Sequence, residues 1–120
     1  MTMTRISTEA PRTAALLRVY RGYCSLNAAA MRLLNVGYDR RRYAELSVSD
    51  DGTVWICTTN NSADYKIVPK SSLTGRINSV TLSRKLADKL GDYGTYRIIP
   101  ERRQYDVSGD KFYYAISKQQ

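Results

Sequence analysis

The pair of segments YCSLNAAAMRLLNV (23–36) and SVTLSRKLADKLGD (79–92) constrains this chain more than any other feature. Each passes from strand-like alternation into a helix of about two turns that ends at a residue suited to a left-handed stop. In the first, Asn27 reads as an N-cap, because its side-chain oxygen can accept a backbone N–H of the opening turn. Ala30, Met31 and Leu34 then share one face, and Asn35 supplies the stop ahead of Gly37. In the second, SVTLS reads as a strand and Ser83 as the cap. Leu86, Ala87 and Leu90 form the buried face, and Gly91 is the stop.

Matched on these caps, the two segments stand 56 residues apart (83 − 27). Leu26 then falls on Leu82, Ala30 on Leu86, Met31 on Ala87, Leu34 on Leu90 and Asn35 on Gly91. The stretches after the two helices are also alike. YAELSVSDDGTVWICTT reads as a strand, an Asp-Gly hairpin turn and a β-branched return strand. GTYRIIPERR, VSGDK and KFYYAIS read as strand, turn and closing strand, with Gly109 standing 57 residues (109 − 52) after Gly52. Leu16–Leu26 reads as the strand that opens the first copy, and YKIVP as a short strand ending at Pro69. The expectation is an internal β-α-β-β duplication over about 16–60 and 74–118, behind a mobile arm at 1–13.

A unit of this size buries too little apolar surface to stand alone, and so short a helix is marginal without packing. Two such units solve both problems by completing each other's sheet, which also removes exposed strand edges. The fold class expected is mostly β with two short helices (α+β), a pseudo-two-fold barrel forming a single domain over 14–120.

Composition narrows the function. The chain has 120 residues and no histidine, which excludes Ser-His-Asp and Cys-His catalysis. Its two cysteines, Cys24 and Cys57, sit in apolar runs and read as buried free thiols, too few for a zinc site without histidine. No P-loop or dinucleotide fingerprint is present, so neither an enzyme nor a cofactor is expected. No apolar run is long enough to span a membrane and the N-terminus lacks a secretory core, so a cytoplasmic protein is expected. The net charge of +8 is spread over both halves, +3 in residues 1–60 and +5 in residues 61–120. A field of this sign favours polyanions, nucleic acid first.

The strand–helix–hairpin order resembles the swapped-hairpin DNA-binding family of AbrB, SpoVT and MazE. INSVTLSRKLADKLG is similar to the family's pattern through Asn78, Ser79, Val80, Leu82, Leu86, Leu90 and Gly91. Leu26, Met31 and Leu34 carry it in the first half. The resemblance implies a swapped-hairpin barrel with both copies in one chain, as in MraZ-type proteins, and a role as transcriptional regulator or antitoxin-like protein. Asn27 and Ser83 replace the family's strand-to-helix proline, and Ile77 replaces a glycine. Where family helices often carry an arginine pair, the spacing of 56 puts Met31-Arg32 and Ala87-Asp88, so only Arg32 keeps the charge.

The candidate DNA-contacting residues cluster at the junctions: Arg18, Arg21, Arg32, Arg40, Arg41, Arg42, Arg76, Arg84, Lys85 and Lys89, cations that can reach phosphates or guanine edges. The resemblance gives Asn78 a DNA or turn role, and tolerance of positive φ supports the turn. The ten tyrosines suit a half-buried β surface, with base stacking as the alternative. Asp50-Asp51 is explained by the hairpin turn. Double-stranded DNA is the expected partner. A protein partner, a toxin or a second copy, is the further expectation, and the alternative function is a non-enzymatic protein-interaction or oligomerisation module of a phage or mobile element.

Overall fold

In a computed structural model, residues 14–36, 42–70 and 73–118 are described. The expected arm at 1–13 and the candidates Arg40 and Arg41 lie outside them. The strands are β1 (Leu16–Val19), β2 (Cys24–Leu26), β3 (Tyr43–Val48), β4 (Val54–Thr59), β5 (Tyr65–Lys66), β6 (Val68–Pro69), β7 (Gly75–Ile77), β8 (Gly94–Asp106) and β9 (Lys111–Lys118). Helix α1 (Ala28–Leu33) follows β2, and α2 (Val80–Leu90) follows β7.

All strands join one antiparallel sheet in the order β5-β3-β4-β9-β8-β1-β2-β7-β6. Its first and last members are two halves of one segment, separated by Ile67 alone. Tyr65 and Lys66 pair with β3, the Ile67 N–H donates to the Arg42 carbonyl at 2.8 Å, and Val68 and Pro69 pair with β7. One segment thereby bridges both edges, and the sheet curls into a nearly closed barrel. Edge groups that would otherwise face water or another chain are largely paired. With β5–β6 taken as one strand, the order strand, strand, helix, strand, strand occurs twice along the chain.

The period-two alternation of the strands fills the barrel. Leu17, Leu26, Ile56, Ile67, Ile77, Tyr96 and Ile98 are fully buried within it, and Ala30, Leu34, Leu82 and Leu86 of the helices join the same core. Each large apolar side chain so buried contributes about 1.5–3 kcal/mol, and this packing holds a helix as short as α1. Asn27 caps α1 as expected and does more. Its Oδ1 accepts the N–H groups of Ala30 (2.9 Å) and Leu16 (3.0 Å), and its Nδ2 donates to the Ala14 carbonyl (2.8 Å), tying helix to strand. The helix stops as expected too. Asn35 takes φ 54°, while the Asn35 and Val36 N–H groups donate to the carbonyls of Arg32 and Met31. Gly91, at φ 107°, ends α2.

Three expectations are corrected. SVTLS is the cap and opening of α2, not a strand: Ser79 is the N-cap, extended at φ −146°, and its Oγ accepts the Leu82 N–H at 3.1 Å. Val80 and Thr81 are β-branched and mimic a strand, but both are exposed on the first turn. Ser83, expected as the cap, is buried inside the helix with its Oγ 3.4 Å from the Cys24 Sγ. The caps therefore stand 52 residues apart (79 − 27), not 56. Three and seven positions after the caps, Ala30 and Leu34 in α1 and the segment that ends it, and Leu82 and Leu86 in α2, are buried, and five positions after them Arg32 and Arg84 are exposed. Second, Leu16–Leu26 is a hairpin rather than one strand. It reverses at Tyr20–Tyr23, where the Tyr20 N–H donates to the Tyr23 carbonyl at 2.9 Å. Third, Asn78 leads into a helix instead of a strand and is not among the described residues with positive φ; it still sits at a tight turn, because the Ser79 N–H donates across it to the Ile77 carbonyl at 3.2 Å. Both cysteines are buried free thiols. Among the described residues no helix is long and apolar enough to cross a membrane.

Candidate nucleic-acid interface

The pairing of β1, β2 and β7 sets three residues in a row across the barrel wall. Arg18 is opposite Ser25, and Ser25 is opposite Arg76. Their neighbours Leu17, Val19, Cys24, Leu26 and Ile77 point inward and are buried, so alternation turns Arg18, Ser25 and Arg76 outward. Two strand spacings put the arginine backbones roughly 10 Å apart. Residues 58 positions apart in sequence (76 − 18) thus share one face. Arg97 extends it: Arg18 is opposite Thr95 on β8, which makes Arg97 its exposed diagonal neighbour, within roughly 7–8 Å.

Tyrosines shape the end of this face at the 20–23 turn. The Arg76 guanidinium carbon lies 3.9 Å from the centroid of the Tyr23 ring, and that of Arg21 lies 5.0 Å from the Tyr93 ring. Tyr20 and Tyr23 lean together at 4.7 Å between centroids, tilted by 32°. A guanidinium resting on a ring gains attraction from the ring quadrupole and keeps its N–H donors in the plane, available to a phosphate or a base edge. Neither Arg18 nor Arg76 pairs with a carboxylate among the described residues. Tyr20, Tyr23, Ser25, Lys70, Thr74, Gly75 and Arg76 enclose an open hollow of about 360 Å³ beside the row.

Arg18, Arg21 and Arg76 are therefore the expected residues that the fold brings together. The others are dispersed. Arg32 is exposed on the last turn of α1, and Arg42 is exposed just before β3. Arg84, Lys85 and Lys89 occupy the exposed side of α2, where Asp88 also lies. Asn78 is exposed between β7 and the Ser79 cap. Sequence reasoning missed Arg97 and Lys70, and it read Tyr20 with the other tyrosines as β surface, base stacking being the alternative. The outward alternation of Thr95 and Arg97 was a usable signal for the first. Lys70 and Tyr20 join the face only through the β6–β7 and β1–β2 turns.

A second polar cluster lies on β3, β4 and β9. Glu45 is opposite Cys57, and its Oε2 accepts from Lys111 Nζ (2.8 Å), Tyr113 OH (2.9 Å) and Cys57 Sγ (3.2 Å). Burial pushes the Glu45 carboxyl up, but the three donors and the Lys111 charge outweigh it and leave the group below its ordinary value. Burial first, then the hydrogen bond and charge of Glu45, push the Cys57 thiol up to about 12, so it is not a nucleophile near neutral pH. Burial and Glu45 likewise raise Tyr113 to about 12. The adjoining hollow of about 310 Å³ is lined by Glu45, Asp64, Asn60, Asn61 and neighbouring threonines, with Lys111 as its one cation. It offers nothing to a polyanion. Compared with known proteins, this chain matches no family model, no curated protein and no solved structure.

Proposed function

We propose that this chain is a small non-enzymatic DNA-binding protein, a transcriptional regulator or antitoxin-like, which grips the phosphates of duplex DNA with the Arg18–Ser25–Arg76 face. The observation that carries the reading is the arginine row, without a carboxylate partner among the described residues, set on the sheet and flanked by Arg21 and Arg97. Phosphate contacts need cations held outward on a fixed frame, and cross-strand pairing supplies that. A net charge of +8 adds long-range attraction.

The barrel belongs to the same proposal. We read it as two copies of one strand-strand-helix-strand-strand unit, swapped through their hairpins. β8 of the second unit pairs with β1 of the first, and β3 of the first pairs with β5 of the second. The two helix caps at a spacing of 52, with like residues buried behind them, support that reading. In it Arg32 and Arg84 are equivalent, so both helices carry the arginine that a DNA-binding member of the swapped-hairpin family would use.

Anisotropy of a labelled DNA duplex, titrated at several salt concentrations, tests the function. Neutralising the phosphates opposite Arg18, Arg21, Arg76 and Arg97 contributes about −3 to −4 to the slope of log affinity against log salt, and one contact each from Arg32 and Arg84 would add about −2. Absence of binding at low salt rejects the proposal. A second reading, a protein-interaction module, draws on the β8–β9 hairpin, where Val107 is 80% exposed and Tyr105 and Phe112 stand together at 5.0 Å. It requires a stable oligomer or a co-purifying partner, which light scattering of the purified protein detects.

A further inference from the structure

We propose that the hollow at the 20–23 turn accepts one unpaired nucleobase of the bound DNA, stacked on Tyr20. This inference rests on the DNA-binding reading and names which DNA the face prefers. A base needs a flat apolar surface, hydrogen-bonding groups at its edge and a cation near its phosphate. The hollow holds all three. Tyr20 is 40% exposed, and Tyr23, against which it leans, is already engaged by Arg76, so the Tyr20 ring is the surface on offer. Ser25 supplies a hydroxyl and the Gly75 backbone lies in the wall, while Lys70 and Arg76 stand in the same lining. A volume of about 360 Å³ exceeds what a phosphate alone would fill and lies within the range of small-molecule sites.

The base must be unpaired. Inside a duplex both its faces are covered, and extrusion is cheapest where the base already lacks a partner. The arginine row reads only the backbone of an intact duplex, so blunt DNA would use the row and leave the hollow unused. The contrast with the Glu45 hollow narrows the site to one place: that cavity has comparable size, but Glu45 and Asp64 in its wall repel a nucleotide phosphate.

The experiment uses the full chain and three fluorescein-labelled DNA molecules: a blunt duplex, the same duplex with one bulged thymine, and its single strand. Wild type is expected to bind the bulged duplex about tenfold more tightly than the blunt one, the scale of one base–aromatic stack. Tyr20→Ala should abolish that preference and Tyr20→Phe should keep it. A 2-aminopurine in place of the bulged thymine should be quenched by wild type and by Tyr20→Phe, but not by Tyr20→Ala. Because Tyr20 is partly exposed on a turn, the alanine variant is expected to fold, and Trp55 emission checks this. Equal affinity for bulged and blunt duplexes, or a preference that survives Tyr20→Ala, overturns the inference and leaves the DNA-binding reading standing. Absence of binding to all three molecules overturns both.

Discussion

Two polar rows cross this barrel, and they dispose of charge in opposite ways. On β1, β2 and β7, Arg18, Ser25 and Arg76 face outward without a carboxylate partner among the described residues. On β3, β4 and β9, Cys57, Lys111 and Tyr113 all donate to a single carboxylate oxygen of Glu45. The second row is saturated by its own members, so it joins strands and has little capacity left for a ligand. In the first, Arg76 rests on Tyr23, an arrangement that fixes a guanidinium without consuming its donors. Charge that is already paired serves the fold, whereas charge held rigid and unpaired is available to a partner.

The hardest test of that contrast is to reverse the first row. Arg18→Glu with Arg76→Glu replaces two phosphate contacts by two repulsions. Duplex affinity at low salt is expected to fall on the order of 100-fold, with a shallower salt dependence. Circular dichroism should be unchanged, because both side chains lie outside the core. Equal affinity in the double variant would move the DNA surface elsewhere on the molecule.

The second row should respond in stability and leave DNA binding alone. Glu45→Ala strands the Lys111 charge and removes the acceptor of Cys57 and Tyr113, a loss of about 2 kcal/mol. Glu45→Gln keeps an acceptor and should lose about half as much. The pH dependence comes from the depressed carboxyl. Its contribution is fully present above the ordinary value of 4.5 and is lost as pH falls through the lower folded-state value. Lys111, raised by its hydrogen bond to Glu45 against an opposing effect of burial, contributes below its ordinary value of 10.5. That contribution disappears only as pH rises through the higher folded-state value. Urea unfolding tracked by Trp55 emission should therefore show an acid limb in wild type that is shallower in Glu45→Gln, where Asp51 and Asp106, held below their ordinary values by hydrogen bonds from Ser49 and Ser108, supply what remains. An unchanged acid limb would mean that other carboxylates govern it.

Sequence alone carried the local parts of this fold and lost the parts decided across the barrel. Asn27 was legible as a cap because one polar residue precedes an unbroken run of helix formers. The second cap was not: Ser79 and Ser83 are one helical turn apart, and Val80-Thr81 between them favour a strand by propensity. What decides between the serines is long-range, since Ser83 is buried against Cys24 while Leu82 and Leu86 enter the core. The 16–26 hairpin was hidden for a related reason, because apolar alternation continues on both sides of a turn with no Asn-Gly signal. The site obeys the same rule. Arg18, Arg21 and Arg76 were legible as cations near junctions, but their shared face depends on pairing between strands far apart in sequence. Tyr20, between Arg18 and Arg21, carried only the base-stacking alternative that all ten tyrosines shared, and Lys70 had no local mark of function at all.

The smallest expected effect bears on the corrected spacing. If Arg32 and Arg84 are equivalent positions of two units, each should make one like contact with the DNA backbone. Arg32→Ala and Arg84→Ala would then weaken duplex binding by only a few-fold each, uniformly across sequences, and each would make the salt slope shallower by about one. Both side chains are exposed, and neither substitution should alter folding. Equal slopes would place the helices symmetrically on the duplex, at the spacing set by Asn27 and Ser79. A change confined to one variant would show that the barrel presents a single face to DNA, and that the matched arginines share a position in the fold without sharing a role.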